Sequence, residues 1–190
     1  MMNCPACKTV ALQAATLSVG LPAHTCGTCG GSWLAADDYQ EWSTNHPAMD
    51  SAVTASDPAS SEDAAATGDS PQAKLCPACK HILTRYRVGH GVAFRLEHCG
   101  TCNGTWLDRG EWETLTRHGL DGALLRVFTE PWQRAVRQEE QRQTRERFYG
   151  ERLGEADYAE LRRIRTWLVG HSQKSILFAY LNADDPYRAE

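Results

Sequence analysis

Residues 99–111 read CGTCNGTWLDRGE, and the rest of the chain is best interpreted from this motif. It begins with a C-x-x-C pair, and another such pair, CPAC, lies upstream at residues 76–79. Two pairs separated by about twenty residues place four thiolates at the corners of a tetrahedron, the arrangement of a closed structural zinc site. The spacing therefore predicts a small fold built around a bound metal.

The same pattern occurs a second time, near the N-terminus. There CPAC at residues 4–7 is followed by CGTCGGSWL at residues 26–34, so residues 1–42 and 73–115 form two copies of one module. The two modules use every cysteine of the chain. The predicted metal ligands are Cys4, Cys7, Cys26, Cys29, Cys76, Cys79, Cys99 and Cys102.

Zinc is the metal that this pattern favours. With four thiolates and no open coordination position, the metal would stabilise the fold and do no Lewis-acid chemistry. Mononuclear iron suits the same ligands, and spacing alone does not choose between the two metals. Redox C-x-x-C pairs normally occur singly, and the chain shows no redox partner domain. We expect two structural Zn²⁺ ions, with His24 and His98 beside the sites rather than in them.

The segment between the cysteine pairs of the second module reads as a β-hairpin. Residues 81–88 and 92–98 alternate around a Gly-His-Gly sequence, which supplies the positive dihedral angles of a tight turn. Period-two counting places Ile82, Val88 and Phe94 on the inner face, and Leu83 and Glu97 on the outer face. That outer face carries three arginines, Arg85, Arg87 and Arg95. The hairpin is therefore predicted to expose a basic surface.

A short helix is predicted after the second cysteine pair of each module. Asp108 and Glu111 have the spacing of a capping box, in which two side chains satisfy the first amides of a helix. Ala35 stands at the position of Asp108 in the first module. The first helix should therefore be capped less well than the second.

The complete pattern, C-P-x-C, a hairpin and then C-x-x-C-x-G-x-W-L-D-x-x-E, resembles the transcription factor IIB-type zinc-ribbon family found in small bacterial proteins. Residues 76–111 match this pattern in full, whereas residues 4–34 keep the cysteines and the G-x-W-L sequence and then depart at Ala35. The resemblance implies a zinc-bound ribbon fold. Ribbons of this kind bind DNA, RNA or protein, so the resemblance is much less specific for function.

The predicted fold class is a small metal-bound α+β protein with two zinc ribbons, each a β-hairpin plus a short helix. Residues 1–46 form the first ribbon and residues 74–119 the second. Residues 47–73 between them are rich in Ala, Ser, Asp, Thr, Gly and Pro, which predicts a disordered acidic linker. Its expected span of about 25 to 30 Å would let the first ribbon move independently.

Residues 120–190 are predicted to form a C-terminal helical region. One helix begins near Glu130 and is rich in Arg, Glu and Gln, and a second carries apolar side chains at helical spacing over residues 157–169. A third, mostly apolar helix follows Ser172. Packing is the commonest fate of tryptophan, so Trp132 and Trp167 are expected to anchor this region.

Composition and targeting signals narrow the classes of function. The N-terminal residues show no basic region followed by an apolar run, and the longest apolar run, residues 176–181, is too short to span a bilayer. We therefore expect a cytoplasmic protein without a membrane partner. The net charge is −4, yet residues 75–190 hold more bases than acids, so this part is the one suited to an anionic polymer.

The function predicted from these features is non-catalytic binding. A nucleic-acid or transcription-associated adaptor would use the basic residues that precede Glu97. These candidate contacts are Lys80, Arg85, Arg87 and Arg95. The alternatives are a protein-interaction scaffold that binds its partner through the C-terminal helices, and a rubredoxin-like iron electron carrier. No phosphate loop or nucleophile-base set is recognisable, so we predict no catalytic residue and no small-molecule substrate.

Overall fold

The computed structural model describes residues 2–46 and 72–188. The predicted linker, residues 47–73, therefore lies outside the described residues except for its last two positions. The chain divides into two compact units, one extending to Arg137 and the other beginning at Gln138.

The first ribbon is a hairpin, a third strand and a helix. In chain order these are β1 (Gln13–Ser18), β2 (Leu21–Thr25), β3 (Ser32–Leu34) and α1 (Ala36–Asn45). Gly20 closes the hairpin turn with φ of 76°, a value that side chains rarely allow. Helix α1 begins after Ala35 without a side-chain cap.

The second ribbon repeats this order of elements. Its strands are β4 (Thr84–Gly89), β5 (Val92–His98) and β6 (Thr105–Leu107), and its helix is α2 (Glu111–Arg117). Gly89, His90 and Gly91 all have positive φ, which confirms the predicted turn. The structure thus contains two ribbons of the predicted kind, one in each half of the unit that ends at Arg137.

Among the described residues the two ribbons share one six-stranded sheet in the order β1-β2-β3-β6-β5-β4. Strands β3 and β6 pair antiparallel at its centre, with Trp33 directly opposite Trp106. These tryptophans hold equivalent places in the two copies, so the strand order is the same read from either edge. The expectation that the first ribbon moves independently is wrong, because its last strand is hydrogen-bonded into the sheet of the second.

The tryptophans of β3 and β6 interlock the two ribbons. A Cβ atom built on Gly31 would fall inside 3.0 Å of the Trp106 ring, and one on Gly104 inside 3.0 Å of the Trp33 ring. Each indole therefore lies against the bare glycine that precedes the partner strand. The G-x-W part of the motif is used for pairing the two copies.

One face of the sheet packs against both short helices and forms a core shared by the ribbons. Trp42 of α1 and Trp112 of α2 meet edge to face with centroids 5.7 Å apart. The Trp112 indole N–H donates to Ser18 Oγ at 2.8 Å, and the Tyr39 hydroxyl donates to the carbonyl of Asp121 at 2.7 Å. The two tryptophan contacts cross from one ribbon to the other, and the Tyr39 bond joins the first ribbon to the segment that follows the second. One hydrophobic core is therefore shared by both ribbons.

The predicted faces of the second hairpin are correct near its turn and wrong near the metal-binding end. Val88 and Phe94 are buried as predicted, but Ile82 is 63 % exposed whereas Leu83 and Glu97 are buried. The reason is that the outer face is not open there: Leu83 packs beside Trp106, in the cluster that also holds the cysteines. Simple alternation assumes one covered face, and this end of the sheet is covered on both.

Residues 120–137 pack onto the second ribbon. They form a 3₁₀ turn (Asp121–Ala123), helix α3 (Leu124–Val127) and the start of α4 (Glu130–Leu153). The Trp132 indole N–H donates to the carbonyl of Val88 at 2.9 Å, and Gly89 lies against Val136. Trp132 therefore anchors α4 on the hairpin turn.

The unit that begins at Gln138 is helical. It contains the rest of α4, then α5 (Glu155–Gly170) and α6 (Lys174–Asn182). Arg142 bonds to Glu139 and Glu146 on the same helix, so the polar part of α4 satisfies its own charges. The expectation that Trp167 is a core residue is wrong, because its side chain is 55 % exposed. None of the helices in the described ranges has the length and apolar character needed to cross a membrane.

Candidate metal centres

The structure brings the eight predicted ligands together as two groups of four sulfur atoms. Within each group all Sγ atoms lie within 4.8 Å of one another. The first group is Cys4, Cys7, Cys26 and Cys29, and the second is Cys76, Cys79, Cys99 and Cys102. In each group the first cysteine of a pair is buried and the second is half-buried. Each ribbon thus carries one closed cysteine tetrad at the end of its sheet.

Four turns of the same geometry hold the tetrads. In each, the residue after the second cysteine donates its amide to the carbonyl of the first, as Lys8 does to Cys4 at 2.8 Å. That residue has a φ between 56° and 73° in all four turns. The residues in this left-handed conformation are Lys8, Gly30, Lys80 and Asn103. The turn folds the two thiols of a pair toward the same point.

Backbone amides also point at the sulfur atoms. The N–H of Cys7 donates to Cys4 Sγ at 3.2 Å, and that of Cys79 donates to Cys76 Sγ at 3.4 Å. Burial raises the pKa of Cys99, but the amides of Cys102 and Thr101 outweigh it and lower this pKa to about 6. The amides lower the pKa of the sulfur atoms they face, which favours the thiolate form that a metal requires, whereas burial outweighs them at Cys76 and raises its pKa to about 12.

The spacing of the sulfur atoms fits a tetrahedral metal ion. Zn–S bonds of about 2.3 Å give tetrahedron edges of about 3.8 Å. The Sγ atoms of Cys4 and Cys29 are 3.6 Å apart, and those of Cys7 and Cys26 are 3.9 Å apart. In the second tetrad Cys79 and Cys99 are separated by 3.4 Å. The donor set is all-thiolate and closed, as expected for two structural zinc ions.

The histidines lie outside both tetrads, although one of them contacts a sulfur atom. His98 is buried and stacks on Phe128 with ring centroids 4.1 Å apart, and burial lowers its pKa. His81 Nδ1 lies 3.4 Å from Cys79 Sγ. Its position two residues after the cysteine is the signal in the sequence that indicates this contact. His81 is placed to orient the thiolate of Cys79 through a hydrogen bond.

A buried charge cluster supports the second tetrad and was not predicted. The Lys74 ammonium donates to Glu97 at 2.9 Å and to Asp108 at 2.5 Å, and all three side chains are at most 8 % exposed. The Trp106 indole N–H donates to the other oxygen of Asp108 at 2.7 Å. Asp108 is therefore occupied by side chains and does not cap α2. The cluster ties together the segment before the first cysteine pair, strand β5 and the end of β6.

Glu111 is the last member of the cluster, and it makes one of the two hydrogen bonds of the predicted capping box. One of its carboxylate oxygens accepts the amide of Asp108 at 2.8 Å. Burial raises the pKa of Glu111 well above its usual 4.5, and the neighbouring charges of Asp108 and Glu97 raise it further. This carboxyl is therefore held toward its neutral form beside an already charged group.

The predicted nucleic-acid contacts lie in three different settings. Arg87 and Arg95 stand directly opposite each other on β4 and β5, where Arg87 is exposed. Arg85 Nε lies 3.5 Å from Glu97 and extends the buried charge cluster. Lys80 is the left-handed residue of a metal-binding turn and donates to the carbonyl of Pro77 at 3.1 Å. Of the four side chains, Arg87 and Arg95 form the surface pair.

The fold and the tetrads together define a zinc-ribbon protein with two ribbons in one chain. Residues 3–44 and 75–118 each match the zinc-ribbon family of transcription factor IIB type, described as a transcription factor zinc-finger. These two segments are similar to the family, and each contains one complete cysteine tetrad. No curated protein and no solved structure matches the chain significantly.

Proposed function

We propose that this chain is a non-catalytic zinc-ribbon protein that binds nucleic acid in a transcription-related role. Each tetrad would hold one Zn²⁺ through its four cysteines, and the metal would stabilise the ribbon without taking part in a reaction. The outer face of the second ribbon would make the contact. The proposal rests on one observation, the cross-strand pair of Arg87 and Arg95.

The pair places two positive charges side by side on the second ribbon. The register puts Thr16 and Pro22 at the equivalent place in the first ribbon, which has no charge there. The two ribbons therefore differ in charge at this position. A phosphate backbone is a ligand that these charges would bind, since each neutralised phosphate releases counterions.

Oligonucleotide binding measured by fluorescence anisotropy tests this proposal. The zinc-loaded protein should bind labelled DNA or RNA at about 50 mM salt and lose affinity steeply as salt is raised. The double substitution Arg87→Ala and Arg95→Ala should weaken binding about tenfold. It should also reduce the slope of log affinity against log salt concentration by about 0.7 to 0.9 for each lost contact. Arg85 is left in place because its loss would disturb the buried charge cluster.

Arg134→Ala with Arg137→Ala is the matched control. These two arginines of α4 are 66 % and 52 % exposed, so the control removes the same charge from a different surface. Equal effects of the two variants would show that only net charge matters. Absence of binding by the unaltered protein at low salt would rule the proposal out.

An electron-transfer role would require iron in the tetrads, because zinc has no redox chemistry. Elemental analysis and an absorption spectrum of protein purified without added metal separate the two cases. Two colourless metal ions per chain support the binding role. Visible thiolate charge-transfer bands would support the electron carrier instead.

A further inference from the structure

The helical unit that begins at Gln138 exposes an unusual number of large apolar side chains. Among its described residues only Leu168 is buried. Seven side chains of α5 and α6, between 39 and 64 % exposed, define what we call the C-terminal apolar face: Leu161, Trp167, Val169, Ile176, Phe178, Tyr180 and Leu181. Single exposed apolar residues are ordinary, but a group of this size marks an interaction surface.

Helix α6 makes the case most clearly. Its sequence, KSILFAYLN, is apolar around most of its circumference, yet none of its residues is buried. A helix that is apolar on all sides is stable when it is enclosed by other elements. With nine residues it is also too short to be stable through its own backbone hydrogen bonds. The contact with α5 leaves most of α6 uncovered, so a further surface is needed.

The size of the C-terminal apolar face suits a protein interface. Side chains of these types, exposed to about half of their area, together offer on the order of 600 to 700 Å². Each partner of a standard stable interface contributes about 800 Å². The side chains that point toward a partner can therefore supply a substantial part of one side of such an interface.

The charges of α5 indicate what kind of surface covers the face. The first six residues of this helix contain Glu155, Asp157 and Glu160 and no base. The remaining residues contain Arg162, Arg163 and Arg165 and no acid. Two copies of α5 lying antiparallel would place the acidic half of each beside the basic half of the other. A two-fold axis produces this arrangement from a single sequence, so the surface is complementary to itself.

We propose that the C-terminal apolar face is the interface of a two-fold symmetric dimer of this chain. The α5–α6 pairs of two copies pack antiparallel as a four-helix assembly and enclose α6. This inference is independent of the nucleic-acid proposal, which concerns the second ribbon.

Sedimentation velocity on the full zinc-loaded chain tests the dimer, over about 1 to 100 μM because association depends on concentration. The expected species has twice the 21.1 kDa mass of one chain. The double substitution Ile176→Lys and Leu181→Lys should give a monomer at all of these protein concentrations. Both side chains are already more than half exposed, so the change should leave the helices folded, as circular dichroism can verify.

Val19→Lys is the control for the added charge. Val19 is 90 % exposed at the β1–β2 turn, far from α6 in the sequence, and this variant should remain dimeric. A second variant, Arg162→Glu with Arg165→Glu, keeps the apolar surface but makes α5 acidic along its length. The dissociation constant of its dimer should be at least about tenfold higher than that of the unaltered chain.

Three results would overturn the inference. The unaltered chain could remain a monomer over the whole range. The Ile176→Lys, Leu181→Lys variant could retain the mass of the unaltered chain. A monomer that sediments with vesicles of anionic phospholipid would assign the face to a lipid surface instead.

Discussion

At the scale of single residues, Lys74 distinguishes the second ribbon from the first. Its ammonium lies between the carboxylates of Glu97 and Asp108 in a buried position. In the first ribbon Met2 makes the corresponding backbone contact, to Leu12 as Lys74 does to Leu83. The two copies therefore support the same metal-binding turn with different chemistry, one apolar and one ionic.

Replacing Lys74→Met tests how much the second ribbon depends on this cation. The variant removes the cation that lies between two buried carboxylates and leaves Asp108 without it, which should lower the free energy of unfolding by about 3 to 5 kcal/mol. Urea denaturation of the zinc-loaded protein measures the change. Lys80→Met is the control, because Lys80 is exposed and its loss should change stability by less than about 0.5 kcal/mol. Equal midpoints for the two variants would show that the cluster is not a stability determinant.

At the scale of elements, the pairing of β3 with β6 joins the ribbons. The pair is only three residues long on each side, so backbone hydrogen bonds alone would hold it weakly. Trp33 and Trp106, both almost completely buried, supply the side-chain contact that the short strands lack. The glycines that receive these rings are therefore as important to the pairing as the strands.

Replacing Gly31→Ala and Gly104→Ala should each destabilise the protein by about 1 to 3 kcal/mol, since the added methyl overlaps a buried indole. Thermal unfolding followed by tryptophan fluorescence measures the loss. Gly27→Ala and Gly100→Ala serve as controls in the neighbouring turns, because a Cβ at either position meets nothing within 4 Å. If all four variants melted together, the interlock would not contribute to stability.

At the scale of the whole molecule, the shared sheet couples the two metal centres. Each tetrad lies in one cluster with Trp33, Trp106 and the side chains that line the sheet. Metal binding to such sites supplies folding free energy. Loss of metal from one ribbon should therefore weaken the sheet that supports the other.

The double substitution Cys4→Ser and Cys7→Ser should reduce the zinc content from two ions per chain to one. The zinc that remains is bound at the second tetrad. A chelator should remove it faster than it removes the more slowly released zinc ion of the unaltered protein, because β6 has lost a folded partner strand. A colorimetric chelator assay measures both the amount and the rate. An unchanged rate at the second tetrad would show that the ribbons fold and bind metal independently.

Much of the candidate site could be predicted from the sequence. All eight cysteines lie in the predicted groups, both hairpins and both short helices exist, and the family match covers both segments. These features follow from spacings within about thirty residues, where the chain geometry itself limits what the ligands can do. The roles of Glu97 and Asp108 were mispredicted, because each depends on Lys74, which lies 23 and 34 positions away from them.

Two metal-binding ribbons can therefore be predicted from the amino-acid sequence, since the cysteine spacing is local and repeated. The pairing of the ribbons into one sheet is visible in the folded chain alone, because it joins Trp33 to Gly104 and Trp106 to Gly31 across more than seventy residues. The fold also sets which side of the second hairpin is covered and which arginines remain at the surface. Alternation along a strand indicates that two faces differ, but the surface that covers each face comes from distant parts of the chain.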